Sequence, residues 1–120
     1  MKPSTIDKFL EECGIHTGPY STEVIDFDDV RINAKSEFMN GICSIGECYS
    51  PENGAIFAAS REMLKALIFS GIIMEYEKTA TDFPLEETFS GKIIIDSIQK
   101  ALPGKTWTEI KKRLEELDAV

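Results

Sequence analysis

Four side chains carry the atoms most able to do chemistry: Cys13 and His16 in C-x2-H spacing, and Cys43 and Cys48 in C-x4-C spacing. Thiolate and imidazole are ligands zinc prefers, and four of them complete a closed structural site. A structural Zn site, or an Fe–S site, would use every cysteine and the only histidine of the chain. Two features oppose it. Cys13 falls on the apolar stripe of an expected helix, where a buried thiol is common. Cys43 and Cys48 are an odd step apart, so a regular strand points them to opposite faces unless Gly46 supplies a bulge. A thiolate–imidazole nucleophile, Cys13 or Cys48 with His16, is the enzymatic counterpart. Neither cysteine sits in a local nucleophile signature, and the first expectation is a non-enzymatic protein with no cofactor, Zn being the alternative.

Carboxylates form the second constellation. Asp26, Asp28 and Asp29 could hold a hard cation or, with Glu23 and Glu37, present an acidic patch to a basic partner. Gly104-Lys105-Thr106 resembles the tail of a phosphate-binding loop. The glycine that pattern needs five residues earlier is Gln99, and Thr106 is better used as a helix cap.

The charge balance supports the acidic reading. The 120-residue chain has 13 basic and 21 acidic side chains, a formal net charge of −8. Residues 1–60 hold ten Asp/Glu against four Lys/Arg, and residues 61–120 hold eleven against nine. A DNA- or RNA-binding domain needs a basic face to displace counterions from phosphates, so direct nucleic-acid binding is disfavoured, as is an anionic membrane surface. A protein partner with a basic surface is favoured, and its approach would be electrostatically steered. The alternative is that the acidity only keeps the protein soluble.

An odd count of three cysteines excludes a fully paired disulfide framework within one chain. No basic-then-apolar leader opens the sequence and no apolar run approaches the ~20 residues of a membrane helix, so the expected setting is cytoplasmic. The length and the ordinary hydrophobic and charged content suit one globular domain spanning residues 1–120.

The elements that must position these groups are read from periodicity. Ile6, Phe9, Leu10 and Cys13 make a helical stripe, with Ser4 as its cap and Gly14 as its terminator. Between Glu23 and Ala58 the period is two: Ile25 and Phe27, then Val30, Ile32 and Ala34, alternate with polar residues. Asp28-Asp29 turns the chain between those runs. Asn40-Gly41 is expected to form a type I′ hairpin that sets Met39 opposite Ile42 and Phe38 opposite Cys43. Pro51-Glu52-Asn53-Gly54 reads as a turn into a strand from Ala55 to Ala58.

A helix capped by Ser60 and ended by Gly71 follows, then a strand through Ile72, Met74 and Tyr76. A third helix is expected from Asp82-Pro84 to Leu102, with a break at Ser90-Gly91. The last helix is the clearest, with Thr106 and Glu109 as a capping box and Trp107, Ile110, Leu114 and Leu117 as its stripe. Trp107 is a core residue or a dimer contact, and a homodimer is compatible with the chain.

This order predicts an α+β fold: a mainly antiparallel sheet of four to five strands in the N-terminal half, covered by C-terminal helices. A winged-helix arrangement competes through the helix–glycine–strand layout of Leu64 to Tyr76, though it lacks a basic recognition helix. The functional expectation is a small acidic protein-binding domain: a regulator, inhibitor or immunity-type partner of a basic protein. That partner could itself bind nucleic acid, with carboxylates standing in for phosphates. The alternative is the metal-binding domain of Cys13, His16, Cys43 and Cys48.

Overall fold

The computed structural model describes residues 1–16, 18–35, 41–77 and 84–120. Its elements run α1 (Pro3–Glu12), β1 (Ser21–Asp26), β2 (Asp29–Lys35), β3 (Ile42–Cys48), α2 (Pro51–Glu77), α3 (Phe89–Ala101) and α4 (Trp107–Asp118), with a 3-10 turn at Leu85–Glu87 before α3. About 61% of the structure is helical and 19% is strand. Among the described residues the sheet has three strands in the order β1-β2-β3, both pairs antiparallel. This corrects the expected four to five strands. It also removes the winged-helix layout, because Ala55–Ala58 and Ile72–Tyr76 are both helical.

The misread strands share one cause. Ser50 accepts the Asn53 N–H at 3.3 Å and Pro51 opens α2, so a segment with turn composition is a helix start. Ser60 is no cap; its hydroxyl donates to the Phe57 carbonyl at 2.7 Å within the continuing helix. Gly71 does not end the helix, which runs on to Glu77. It is a close-packing position: a Cβ there would stand 2.7 Å from Cη2 of Trp107.

Two compact units divide the chain. One comprises Met1–Cys13 and Leu64–Val120. Its core is Ile6, Phe9 and Leu10 of α1, Leu64, Ile68 and Ile72 of α2, Ile95 and Ile98 of α3, and Trp107, Ile110 and Leu114 of α4. Lys2, not Ser4, is the cap position of α1, with Pro3 beginning the helix. Gly14 follows the C-cap at φ +82°, the left-handed geometry expected of a terminator. The expected Asp82 cap lies outside the described residues; Thr88 caps α3 by accepting the Gly91 N–H at 3.1 Å. The break therefore falls just before Phe89 and not at Ser90-Gly91. Thr106 caps α4 by accepting the Glu109 N–H at 3.2 Å.

The second unit is Gly14–Met63, containing the sheet and the first half of α2. β2 buries Val30, Ile32 and Ala34 and half-exposes the residues between, the alternation expected of a one-sided strand. Helix α2 covers that face at two close approaches: a Cβ on Gly54 would lie 3.1 Å from Val30, and one on Gly46 3.1 Å from Phe57. Ile42 pairs with Lys35 and Cys43 with Ala34; the expected turn partners Phe38 and Met39 lie outside the described residues. Asn40 itself lies outside the described residues; Gly41 has φ +82°.

Candidate functional site

The acidic residues of the sheet gather at the β1–β2 hairpin. Antiparallel pairing sets Asp26 opposite Asp29, joined by only Phe27 and Asp28. The turn is therefore Phe27-Asp28, one residue earlier than Asp28-Asp29. Three carboxylates thus occupy four consecutive positions, two of them directly opposed. Like charges opposed across a ladder destabilise it, and nothing cationic is paired with them among the described residues. Phe27 sits among them at φ +38°, with 93% of its surface exposed. Left-handed backbone is uncommon for any residue with a Cβ and is an outlier for a bulky one. The hairpin therefore holds an aromatic ring out in water, at a turn with three carboxylates, at a cost to its own backbone.

Behind the tip, the outer sheet face carries a charged row. Arg31 lies 3.9 Å from Glu23 on β1 and 4.0 Å from Glu47 on β3, and Asn33 donates to Glu23 at 3.1 Å. Two carboxylates share one guanidinium, so this row is also net negative. Glu23, Asp26, Asp28 and Asp29 thus belong to one hairpin; Glu37 lies outside the described residues. Val24 and Ile25 are exposed as well, 72% and 43%, giving β1 an apolar component that charge counting missed. Ile25 falls at an irregularity in the β1–β2 register, which displaces it from the ladder.

The Cys/His set is arranged differently. A bulge in β3 between Ser44 and Gly46 shifts the register, so Cys43 faces Ala34 and Cys48 faces Val30. Both cysteines therefore share the inner face, and Gly46 does lie at the irregularity. Ala34 and Val30 are four residues apart along β2, which separates their partners by roughly 13 Å at about 3.3 Å per residue. Two sulfurs on one zinc ion lie within about 5 Å of each other, since each Zn–S bond is about 2.3 Å. All three cysteines are free thiols. Among the described residues no three His, Cys, Asp or Glu side chains are grouped as a metal ion would require.

Cys13 is the C-cap residue of α1. Burial pushes its thiol above the ordinary range, reinforced by Glu12 and opposed by Lys105. That keeps the sulfur protonated and weakly nucleophilic. It borders a notch of about 200 Å³ with Glu12, Lys105 and Arg113. Arg113 grips Glu12 there in a two-pronged pair at 2.9 and 2.6 Å. His16 contributes its backbone: its carbonyl accepts from Arg61 Nε and from the Tyr20 hydroxyl, both at 3.0 Å. Arg61 is almost wholly buried, an unusual state for a guanidinium, and its Nη1 also meets Glu62 at 3.1 Å. Periodicity gave no sign of this arginine, because it follows Ser60 in a segment read as a helix start.

Tyr20 and Glu62 border a second, larger feature. An open groove of about 660 Å³ runs between residues 19–22 at the start of β1 and the Ala55, Ala58, Ala59 and Glu62 face of α2. Compared with known proteins, the chain matches no family model, no curated protein and no solved structure.

Proposed function

We propose that this chain is a non-enzymatic protein-binding domain, a small acidic regulator or inhibitor whose partner presents a basic surface. The observation that carries the reading is the β1–β2 hairpin tip, where the exposed Phe27 stands among Asp26, Asp28 and Asp29. Interfaces concentrate their energy in a few aromatic anchors ringed by polar groups, while charge sets the encounter rate. A basic partner with an apolar pocket would take up the ring and relieve the repulsion between the opposed carboxylates. Among the described residues no cation compensates the charge at the tip, and complex formation would supply one.

The test is association of the intact protein with the partner recovered from its source cells. Replacing Asp26, Asp28 and Asp29 together by Asn should slow association at low salt and flatten its salt dependence. Replacing Phe27 by Ser should raise the dissociation rate instead. An unchanged on-rate for the triple Asn variant at low salt would sink the proposal.

A further inference from the structure

We infer that the groove between β1 and α2 is a strand-addition site, which takes an extended segment of the partner as a fourth strand on β1. The inference rests on the proposed basic partner and names how that partner is held.

The sheet order leaves β1 at an edge, paired only with β2 among the described residues. A free edge presents a row of unpaired N–H and C=O groups to any extended chain. Natural edges are blunted by charge, proline, a bulge or a covering element. Ser21–Asp26 has no lysine or proline, its register is irregular only at Ile25 so that Ser21–Val24 stay regular, and among the described residues all six are exposed.

The inner sheet face explains where the added strand would lie. Thr22 pairs with Ile32 and Val24 with Val30, so both share the face that buries Ile32 and Val30. Yet Thr22 is exposed and Val24 is 72% exposed. Helix α2 meets this face over β2 and β3, at Val30 and Gly46, while every residue of β1 stays exposed. The space left open is the groove, and the alanines on its helical wall keep it wide enough for side chains from a guest. A strand lying between an edge strand and a helix obtains affinity from main-chain hydrogen bonds and specificity from alternate side chains.

Charge selects the occupant. Glu23 and Asp26 lie along β1 on the outer sheet face, to which alternate side chains of an added strand also project, and β1 carries no basic residue. An extended segment alternating basic with small apolar residues fits: its apolar side chains meet Val24 and the alanines, and its cations meet the carboxylates. A second copy of this chain fits poorly, because pairing β1 with itself antiparallel would bring its own carboxylates together.

The probe is a fluorescent, end-blocked heptapeptide of alternating lysine and valine, titrated into the full-length protein, with a glutamate–valine peptide as the comparison. The lysine peptide should bind, weaken at least tenfold from low to high salt, and slow amide exchange within Ser21–Asp26. Ala59→Arg places bulk and positive charge on the exposed helical wall and should reduce affinity at least tenfold. Phe89→Ser, at an exposed aromatic of the other unit, should change this affinity less than twofold. Equal binding of both peptides, protection outside β1, or full affinity in Ala59→Arg would overturn the inference. If Phe27→Ser abolishes peptide binding while Ala59→Arg leaves it intact, the hairpin-tip proposal stands and the groove is excluded. Self-association of the free protein, lost in Ala59→Arg, would also overturn it by assigning the edge to a second copy.

Discussion

The ring of Trp107 lies against Gly71 so closely that a methyl group added at that glycine would stand 2.7 Å from Cη2 and 3.0 Å from Cζ2. The indole is fixed from other sides as well. Its Nε1 donates to Glu75 at 3.0 Å, and its backbone N–H donates to Gln99 at 2.8 Å. Lys111 reaches the same Glu75 oxygen at 3.2 Å and stands 6.0 Å from the ring centroid. A buried ring held in this way cannot swing aside. Alanine is the better helix former by about 1 kcal/mol, whereas overpacking costs about 1–3 kcal/mol. Gly71→Ala should therefore destabilise the protein by roughly 1 kcal/mol, read as a lower urea midpoint at constant slope.

Phe27 should show the opposite sign for folding and for binding. At φ +38° and nearly full exposure, its side chain adds local strain and no packing. Phe27→Gly is expected to leave the protein equally stable or stabilise it by up to about 1 kcal/mol, as strain relief outweighs glycine's entropy. The same change should weaken partner binding. Thermal unfolding beside a dissociation-rate measurement separates the two effects.

Capping provides a matched pair. Thr106 accepts the Glu109 N–H, whereas no side chain caps α1. Thr106→Ala should cost about 1 kcal/mol, and Ser4→Ala should stay within about 0.5 kcal/mol of the parent. Equal losses in the two variants would show that the α1 cap has been misassigned.

The Glu12–Arg113 pair predicts an acid limb. Hydrogen bonding by the Arg113 guanidinium holds the Glu12 carboxyl below its usual range, despite some opposing desolvation. Asp118 is lowered in the same direction by the Thr5 hydroxyl and the Lys2 backbone N–H. A lowered native value means that the unfolded chain binds the proton more readily. The stabilisation is thus present above the ordinary carboxylate range, about pH 4, and is lost as the pH falls through the native value. Urea midpoints of the parent and Glu12→Gln should differ at neutral pH and converge towards pH 2. A gap that persists in acid would assign the effect to packing.

The parts of the fold that sequence revealed were those ruled by local physics. The α4 capping box, the α1 stripe and the buried alternation of β2 each follow from a few neighbouring residues. Helix α2 did not, because its two glycines have tertiary reasons. Gly54 admits Val30 and Gly71 admits Trp107, so residues that usually punctuate a helix instead mark where other elements touch it. The acidic hairpin was legible from charge. Its exposed aromatic was not, since Phe27 fits the strand alternation and would ordinarily face a core. The groove beside β1 needs the helix, and periodicity divides that helix into a turn, two strands and a shorter helix.

The irregularity in β3 has a consequence for how this sequence can change length. Across it, the residues on either side of Ile45 are offset by one position in the sequence alternation, yet Cys43, Gly46 and Cys48 all face inward. Ile45 is the surplus residue of the ladder, so its removal would leave a regular strand with both faces unchanged. The same loss within β2 would exchange inside for outside over the rest of that strand. Relatives of this protein that are one residue shorter should therefore carry the gap at Ile45, where the ladder absorbs a frame shift that the adjacent strand could not.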